Sequence, residues 1–232
     1  MNQTERSRSS YLTVAQTRRV YDRIGRIQDL QAFYEHRAVA RLVACGDFEH
    51  AGSVFELGYG TGALAKRLLT RHLPVDARYT GVDVSPRMHE LARRRLQGIS
   101  RSELLVSDGS LRFPFGDAVF DRFVAAYVLD LLSPDHIDLV LAEAHRLLAG
   151  GGLLCLASLT EGATPPARLI ARIWRALWSL RPALVGGCRP ITITDYLDRT
   201  SWSIRHQTRI TTLAITSEVV VAIKSTPADA RR

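Results

Sequence analysis

Short apolar runs alternate with amphipathic segments through the middle of the chain. The runs predict strands at about residues 53–57, 79–83, 103–107, 121–127 and 152–158. In the segments between them, apolar residues recur every three or four positions, and Ser-Pro pairs at Ser85 and Ser133 mark two helix starts. Strands that alternate with helices build a parallel sheet with helices on both faces. The pattern therefore predicts an α/β fold with a doubly wound sheet.

The pattern differs on either side of this core. Residues 11–50 have helical spacing and no strand signal, which predicts helices before the first strand. A helical segment over about 165–181 and a short helix at Asp195–Asp198 follow the fifth strand. Two β-rich runs come next, Ser201–Thr211 and Leu213–Lys224, and the short link between them makes them antiparallel. We expect a mostly parallel seven-stranded sheet with a C-terminal antiparallel hairpin.

The most informative segment starts at Val54 and reads V-F-E-L-G-Y-G-T-G. A short strand contains Glu56, glycines stand at Gly58, Gly60 and Gly62, and a segment with helical spacing follows at once. Glycine permits a tight turn and the close approach of a ligand, and the first N–H groups of a helix bind anionic groups. The segment predicts a nucleotide-cofactor site at the end of the first strand.

Two kinds of ligand fit such a loop, and Glu56 distinguishes them. Gly58, Gly60 and Ala63 satisfy the dinucleotide pattern G-x-G-x-x-G/A, but Glu56 would stand close to a bound pyrophosphate. S-adenosylmethionine has no phosphate, and its α-ammonium can face an acid while its α-carboxylate faces amides. The segment resembles the first motif, E/D-x-G-x-G-x-G, of the class I S-adenosylmethionine-dependent methyltransferases. The resemblance covers roughly residues 20–224 and implies S-adenosyl-L-methionine as the cofactor.

Further residues match the family, and the resemblance implies a role for each. Asp83 ends the second strand, where a carboxylate can accept both ribose hydroxyls. The resemblance assigns Asp108 to the adenine amino group and the neighbouring backbone, at Gly109, to the adenine ring. Tyr127 occupies the position that faces the methionine part of the cofactor. Tyr21 lies in Y-D-R-I, which in relatives acting on small molecules and lipids closes over the cofactor; a tyrosine that simply packs on a helix would look the same.

The sequence assigns no catalytic residue. Methyl transfer displaces an already activated group, so alignment supplies most of the help, and a base matters only when the acceptor loses a proton. Asp130, Tyr127 and His136 are candidates near the crevice, with a surface position expected for His136. The segment 113–121, F-P-F-G-D-A-V-F-D, resembles the family's P-F-x-D-x-x-F-D signature. Tyr59 is bulkier than the family's residue between the first two glycines and could narrow the pocket.

The helical segment at 165–181 is the main evidence on the acceptor. Arg168, Arg172 and Arg175 share one helical face. The other face is apolar and consists of Leu169, Ile173, Trp174, Leu177 and Trp178. Such a helix can cover an apolar pocket, lie on an anionic membrane or simply pack on the domain. We expect it above the carboxyl ends of the strands, beside a small-molecule or lipid-like acceptor with a sizeable apolar part.

Composition and charge narrow the class of protein. The net charge is +8, and only two of the 31 basic residues are lysine. The arginines are spread over all predicted helices, so we do not expect a nucleic-acid partner. The family's N/D-P-P-Y tetrapeptide for nucleic-acid amino groups is also missing. The three cysteines form no C-x-x-C pair, and we expect no metal. No signal peptide or membrane-spanning run is visible, which predicts a cytoplasmic protein.

The length of 232 residues suits one well-buried domain. We expect that domain at residues 11–224, between tails at 1–10 and 225–232. Its parts are N-terminal helices, a cofactor-binding core, a substrate-side helical segment and antiparallel strands, at 11–50, 53–158, 160–200 and 201–224.

The sequence thus predicts an S-adenosylmethionine-dependent methyltransferase acting on a small-molecule or lipid-like acceptor. A non-catalytic S-adenosylmethionine-binding partner protein is an alternative, because the motifs concern binding alone. An NAD-dependent oxidoreductase is disfavoured, since Lys66 and Lys224 form no Y-x-x-x-K pair. The oligomeric state and the acceptor atom are not predicted.

Overall fold

The computed structural model describes the backbone of residues 28–225 and the side chains of residues 34–225 except 183 and 184. Within this range the strands are β1 Ser53–Leu57, β2 Arg78–Asp83, β3 Ser102–Val106, β4 Phe120–Ala126, β5 Leu148–Leu159, β6 Trp202–Thr212 and β7 Ile215–Lys224. The α-helices are α1 Gln28–Cys45, α2 Ala63–Arg71, α3 Pro86–Arg95, α4 Pro134–Leu147 and α5 Pro165–Leu180. Tyr21 and the predicted 1–10 tail lie outside the described residues.

One seven-stranded sheet connects all of these strands, in the order β3-β2-β1-β4-β5-β7-β6. The first five strands are parallel, whereas β7 pairs antiparallel with both β5 and β6. The predicted fold class is therefore confirmed, including the antiparallel hairpin. Strand order reverses between β1 and β4, and in such sheets ligands bind at the carboxyl ends of the strands beside that reversal.

Two elements differ from the sequence prediction. The fifth strand begins at Leu148 instead of residue 152, because Leu148 already pairs with Phe120. The register then shifts before Arg122 pairs with Leu153, and Gly151 takes a φ of 77° in this irregular stretch. The short helix expected at Asp195–Asp198 is a 3-10 turn at Ile193–Asp195.

The Ser-Pro pairs start α3 and α4 as predicted. The Ser85 hydroxyl accepts a hydrogen bond from the Met88 N–H at 3.2 Å, and the Ser133 hydroxyl accepts one from the His136 N–H at 3.3 Å. Proline follows each serine at the first helical position, where its missing N–H costs nothing. These caps fix where the loops after β2 and β4 end.

Two apolar clusters cover the two faces of the sheet. Val54 and Phe55 are neighbours on β1, yet Val54 belongs to the cluster with α1 and α2, and Phe55 to the cluster with α4. This alternation is typical of a sheet buried on both faces. None of the helices in the described range is long and apolar enough to cross a membrane.

Candidate cofactor-binding site

The glycine-rich loop between β1 and α2 lies at the carboxyl end of the sheet, beside the reversal of strand order. Gly58, Gly60 and Gly62 have positive φ angles of 74°, 52° and 73°. A Cβ at Gly58 would lie 2.4 Å from Val128 Cγ2, and one at Gly62 would lie 2.9 Å from the Cβ of Ala92. The loop therefore needs glycine for its backbone conformation, and at two positions also for space.

The start of α2 offers backbone donors to a ligand. Gly62 is the N-cap of this helix and has no side chain to cap it. The N–H groups of a first helical turn have no partner within the helix, and together with the helix dipole they favour an anionic group. A carboxylate bound at this position would complete the helix start.

Asp83 joins the glycine-rich loop to the end of β2. Its Oδ2 accepts a hydrogen bond from the Gly60 N–H at 2.9 Å, and its Oδ1 accepts one from the Ser85 N–H at 2.9 Å. Burial raises the pKa of Asp83, although these backbone N–H groups lower it. Each carboxylate oxygen accepts more than one hydrogen bond, so both can still accept a ligand hydroxyl.

Glu56 lies on β1 below the loop, with only 2% of its surface exposed. The Tyr79 hydroxyl donates a hydrogen bond to Glu56 Oε2 at 2.5 Å. Burial raises the pKa of Glu56 to about 7, against the lowering effect of this hydrogen bond. Glu56 therefore changes charge near neutral pH, which the sequence did not indicate.

Asp108 and Gly109 follow β3 at the same edge of the sheet. The backbone connects this loop to β2, since the Ser107 N–H donates to the Asp83 carbonyl at 2.8 Å. Asp108 is exposed, and its Oδ1 accepts a hydrogen bond from the Ser110 N–H at 2.8 Å. Gly109 has a φ of 104°. The structure thus brings the loops after β1, β2 and β3 to one edge, as the motifs predict.

Tyr127 follows β4 and has a left-handed backbone, with a φ of 57°. Non-glycine residues adopt this conformation at a cost of about 1 kcal/mol or more, and they cluster at ligand-binding and active sites. Its hydroxyl is hydrogen bonded to Ser217 Oγ at 2.7 Å, and its ring packs edge-on against Tyr34 at 5.9 Å between centroids. Residues from α1, β4 and β7 meet here.

Two carboxyl groups that interact lie near Tyr127. Asp130 is fully buried, and its Oδ2 accepts a hydrogen bond from the Leu159 N–H at 3.2 Å. Burial raises the pKa of Asp130 to about 7, while backbone N–H groups and Arg189 lower it. Glu35, on α1, also has its pKa raised to about 7, by burial first and then by the charge of Asp130. The sequence does not reveal Glu35, because no local motif marks a helical glutamate that meets a residue 95 positions away only in the folded chain.

Two expectations about individual side chains can be compared with the structure. His136 is exposed, as expected of a surface histidine. Tyr59, however, is only 3% exposed, and its hydroxyl is hydrogen bonded to His89 Nδ1 at 2.9 Å. A Cβ at Gly81 would lie 2.7 Å from the Tyr59 ring. The ring is packed between β2 and α3, and its effect on the size of the pocket stays a prediction.

Helix α5 does not have the single apolar face that the sequence predicts. The Trp174 indole donates a hydrogen bond to the Cys188 carbonyl at 2.9 Å, and the Trp178 indole donates one to the Gly187 carbonyl at 3.0 Å. Both tryptophans are half-buried, whereas Leu169 is 58% exposed. The tryptophans attach α5 to the segment that follows it, and the aliphatic side chains point elsewhere.

A group of possible metal ligands lies apart from this edge. The ligand atoms of Asp47, Glu49 and His50 are within 4.8 Å of one another. Asp47 is already paired with His50 at 2.5 Å and with Arg122 at 3.1 Å, and two of the three residues are exposed. We assign no metal to them.

The glycine-rich loop, Asp83 and the loop after β3 thus lie together at one edge of an α/β domain. Residues 54–152 match the family model of a methyltransferase domain. Over 169 residues the chain is 29% identical to demethylmenaquinone methyltransferase from Tropheryma whipplei, covering 69% of this chain and 64% of that relative. Over 136 residues it is 31% identical to malonyl-[acyl-carrier protein] O-methyltransferase from Geobacter sulfurreducens, covering 58% of this chain and 49% of that relative.

A solved structure agrees with the fold over nearly the whole chain. The [4+2]-cyclase SpnF superimposes with a TM-score of 0.71 at 15% identity, covering 93% of this chain and 98% of that protein. Taken together, the motifs, the family model over residues 54–152 and the relatives support the predicted resemblance to the class I S-adenosylmethionine-dependent methyltransferases. The chain spans 64% and 49% of the length of the two curated relatives.

Proposed function

We propose that the protein is an S-adenosylmethionine-dependent methyltransferase whose acceptor is a small molecule or a lipid-like molecule. The observation that carries this proposal is the 2.9 Å hydrogen bond from the Gly60 N–H to Asp83, beside the reversal of strand order. This bond supports the proposal, because a nucleoside site of this fold needs a glycine-rich loop beside an acid at the end of the next strand. A shared fold does not define a reaction, as the cyclase illustrates, so the site has to support the chemistry.

The proposed cofactor-binding residues are those predicted from the sequence: Tyr21, Glu56, Gly58, Gly60, Gly62, Asp83, Asp108, Gly109 and Tyr127. S-adenosylmethionine fits them because it has no phosphate to repel Glu56. When bound, it supplies a methyl group on a sulfonium. Asp83 accepts the ribose hydroxyls, and the first turn of α2 binds the α-carboxylate. Ionised Glu56 attracts the α-ammonium, directly or through one water.

On the acceptor side, the chain's own groups could accept a proton at neutral pH. A carboxyl group with a pKa of about 7 is suited to general-base catalysis. Asp130 has no exposed surface, so within this arrangement it acts on Glu35 and not on a substrate. Glu35 is only partly buried and is the more accessible of the two. Since an acceptor without a proton to lose needs no base, we assign no catalytic residue.

Three observations favour a small or lipid-like acceptor. Two of the curated relatives are named for demethylmenaquinone and for malonyl-[acyl-carrier protein]. The arginines are scattered, which does not favour nucleic acid. The exposed aliphatic side chains of α5 follow β5, near the carboxyl ends of the parallel strands. A cytoplasmic location stays a prediction from the sequence.

The test combines binding with transfer. Calorimetry should show that S-adenosylmethionine and S-adenosylhomocysteine bind the purified protein, and that NAD does not. Tritiated S-adenosylmethionine, incubated with the protein and a cell extract, should then label the lipid or small-molecule fraction and not RNA. Tighter binding of NAD would contradict the cofactor assignment. Binding without labelling of any fraction would favour the non-catalytic alternative.

A further inference from the structure

The outward side of α5 is an exposed apolar surface. Its aliphatic side chains are accessible to solvent, from 37% of the surface of Ile170 to 81% of that of Leu180. The set consists of Leu169, Ile170, Ile173, Leu177 and Leu180. Five of the eleven large exposed hydrophobic side chains of the described residues thus lie on one helix of 16 residues. Single exposed apolar residues are ordinary, but a contiguous group indicates an interaction surface.

This surface is not what holds α5 on the domain. Ala167 and Ala171 are buried, and the indoles of Trp174 and Trp178 donate hydrogen bonds to carbonyls of residues 187 and 188. These four residues recur at helical spacing and form the inner side. The exposed aliphatic residues lie on a different side of the helix, so they can be replaced without removing these attachments.

Arginines border the apolar surface. Arg168, Arg172 and Arg175 are exposed and follow one another at one-turn spacing. Arg175 pairs with Glu161, but within the described residues no ion pair involves Arg168 or Arg172. The helix itself contains no Asp or Glu. A row of cations beside an apolar stripe complements a surface with anionic groups above an apolar layer.

We propose that this α5 surface, comprising the five exposed aliphatic residues together with Arg168 and Arg172, docks the protein on an anionic lipid bilayer. The aliphatic side chains enter the boundary between headgroups and acyl chains, and the arginines bind lipid phosphates. The net charge of +8 adds long-range attraction to such a surface. A second copy on the same stripe would instead bring further arginines, with no acid on the helix to neutralise them.

Docking there extends the proposed function, because α5 follows β5 near the carboxyl ends of the parallel strands. A lipid-like acceptor held in the bilayer would then be delivered next to the cofactor. The delivery of the acceptor rests on the proposed function, whereas the binding of α5 to a bilayer does not. Vesicle binding and S-adenosylmethionine binding are therefore measured separately, so that failure of one can be told from failure of the other.

The experiment is co-sedimentation of the 232-residue chain with vesicles. We expect binding to phosphatidylcholine vesicles containing about one third phosphatidylglycerol, and binding at least about tenfold weaker to phosphatidylcholine alone. Leu169→Gln/Ile173→Gln/Leu177→Gln should weaken binding by at least about tenfold through lost apolar contact. Arg168→Gln/Arg172→Gln should weaken it by about 20- to 30-fold and reduce its salt dependence.

Matched variants keep these results specific to α5. Val75→Gln/Leu139→Gln removes two exposed apolar side chains elsewhere, and Arg71→Gln/Arg93→Gln removes two exposed arginines from α2 and α3. Both controls should bind anionic vesicles like the original protein. Absence of binding, equal losses in the controls, or full binding by the triple variant would overturn the proposal. So would sedimentation velocity showing a dimer that the triple variant loses.

Discussion

The two sides of the candidate site are built from different kinds of contact. On the cofactor side, backbone groups and short loops do most of the positioning, as in the bond from Gly60 N–H to Asp83, 23 residues further on. Where the proposed cofactor and acceptor sides meet, side chains from distant segments come together, as in the bond between Tyr127 and Ser217, which are 90 residues apart. The first kind needs only the pairing of strands that follow one another along the chain, whereas the second joins segments that are far apart along the chain.

The same difference applies to the charged groups. Asp83 lies among backbone N–H donors that stabilise its ionised form, although burial still raises its pKa. Glu35 and Asp130 each have a pKa of about 7, and the negative charge of Asp130 raises that of Glu35. Backbone donors therefore favour ionised Asp83, whereas Glu56 below the loop and the Glu35–Asp130 pair can change their protonation at neutral pH.

The largest effect is expected from Gly58→Ala. The new Cβ would lie 2.4 Å from Val128 Cγ2, and alanine would have to keep a φ of 74°. Strained backbone and overlap should cost about 2–4 kcal/mol of stability and weaken S-adenosylmethionine binding by about 100-fold or more. Chemical denaturation and calorimetry measure the two quantities.

Gly98→Ala is the matched control for that substitution. Gly98 also has a positive φ, of 86°, but a Cβ there would meet no atom within 4 Å. The Gly98→Ala variant should lose about 1 kcal/mol of stability from backbone conformation alone and keep its cofactor affinity. If Gly58→Ala bound the cofactor as well as Gly98→Ala, the loop would not be the cofactor site.

Asp83→Asn tests whether Asp83 binds the cofactor in addition to accepting hydrogen bonds from the backbone. We expect cofactor binding to weaken by about 1–3 kcal/mol, because a charged acceptor of the ribose hydroxyls is lost. Asp121 is the control, since its Oδ2 also accepts two backbone N–H groups at the start of β1, from Gly52 and Ser53, both at 2.9 Å. Asp121→Asn should lower stability and leave cofactor affinity unchanged. Equal affinities for the two variants would contradict the ribose role.

The sequence predicts contacts that depend on the order of elements along the chain, and it does not predict those that depend on tertiary packing. The strands, the caps at Ser85 and Ser133, and the meeting of Gly60 with Asp83 depend on neighbours along the chain or on strand order. Glu35 and the orientation of Trp174 depend on tertiary packing, which apolar periodicity does not describe. The burial of Tyr59 depends on the same packing, because residue size does not tell which way a loop side chain points.

The pH dependence of stability tests Glu56. Because burial raises its pKa to about 7, above about 4.3 in an unfolded chain, the native state binds more protons between these values. The contribution of Glu56 is therefore fully present below about pH 4.3 and is lost as the pH rises through 7. Glu56→Gln should gain about 1–3 kcal/mol relative to the original protein between about pH 4.3 and 8.

Cofactor affinity supplies the second measurement for Glu56. If its carboxylate attracts the α-ammonium, the affinity of the original protein should rise as the pH passes about 7, and that of Glu56→Gln should not. Tyr79→Phe removes the hydrogen bond that lowers this pKa, so the midpoint should move upward. Parallel pH profiles for all three proteins would show that Glu56 only shapes the turn.

The smallest effect is expected at Ser217, and it tests whether the acceptor side acts on the cofactor. Ser217→Ala removes the hydroxyl partner of Tyr127, which should cost about 1 kcal/mol of stability. Thr216→Val is the control, because the neighbouring Thr216 hydroxyl is bonded to Thr211 at 2.9 Å and contacts no candidate site residue in this way. If Tyr127 faces the cofactor, Ser217→Ala should also weaken S-adenosylhomocysteine binding, by about two- to fivefold, while Thr216→Val leaves it unchanged. If both variants lost equal stability and kept their affinity for S-adenosylhomocysteine, the Tyr127 hydroxyl bond would only join the end of β4 to β7. The two sides of the site would then be energetically independent.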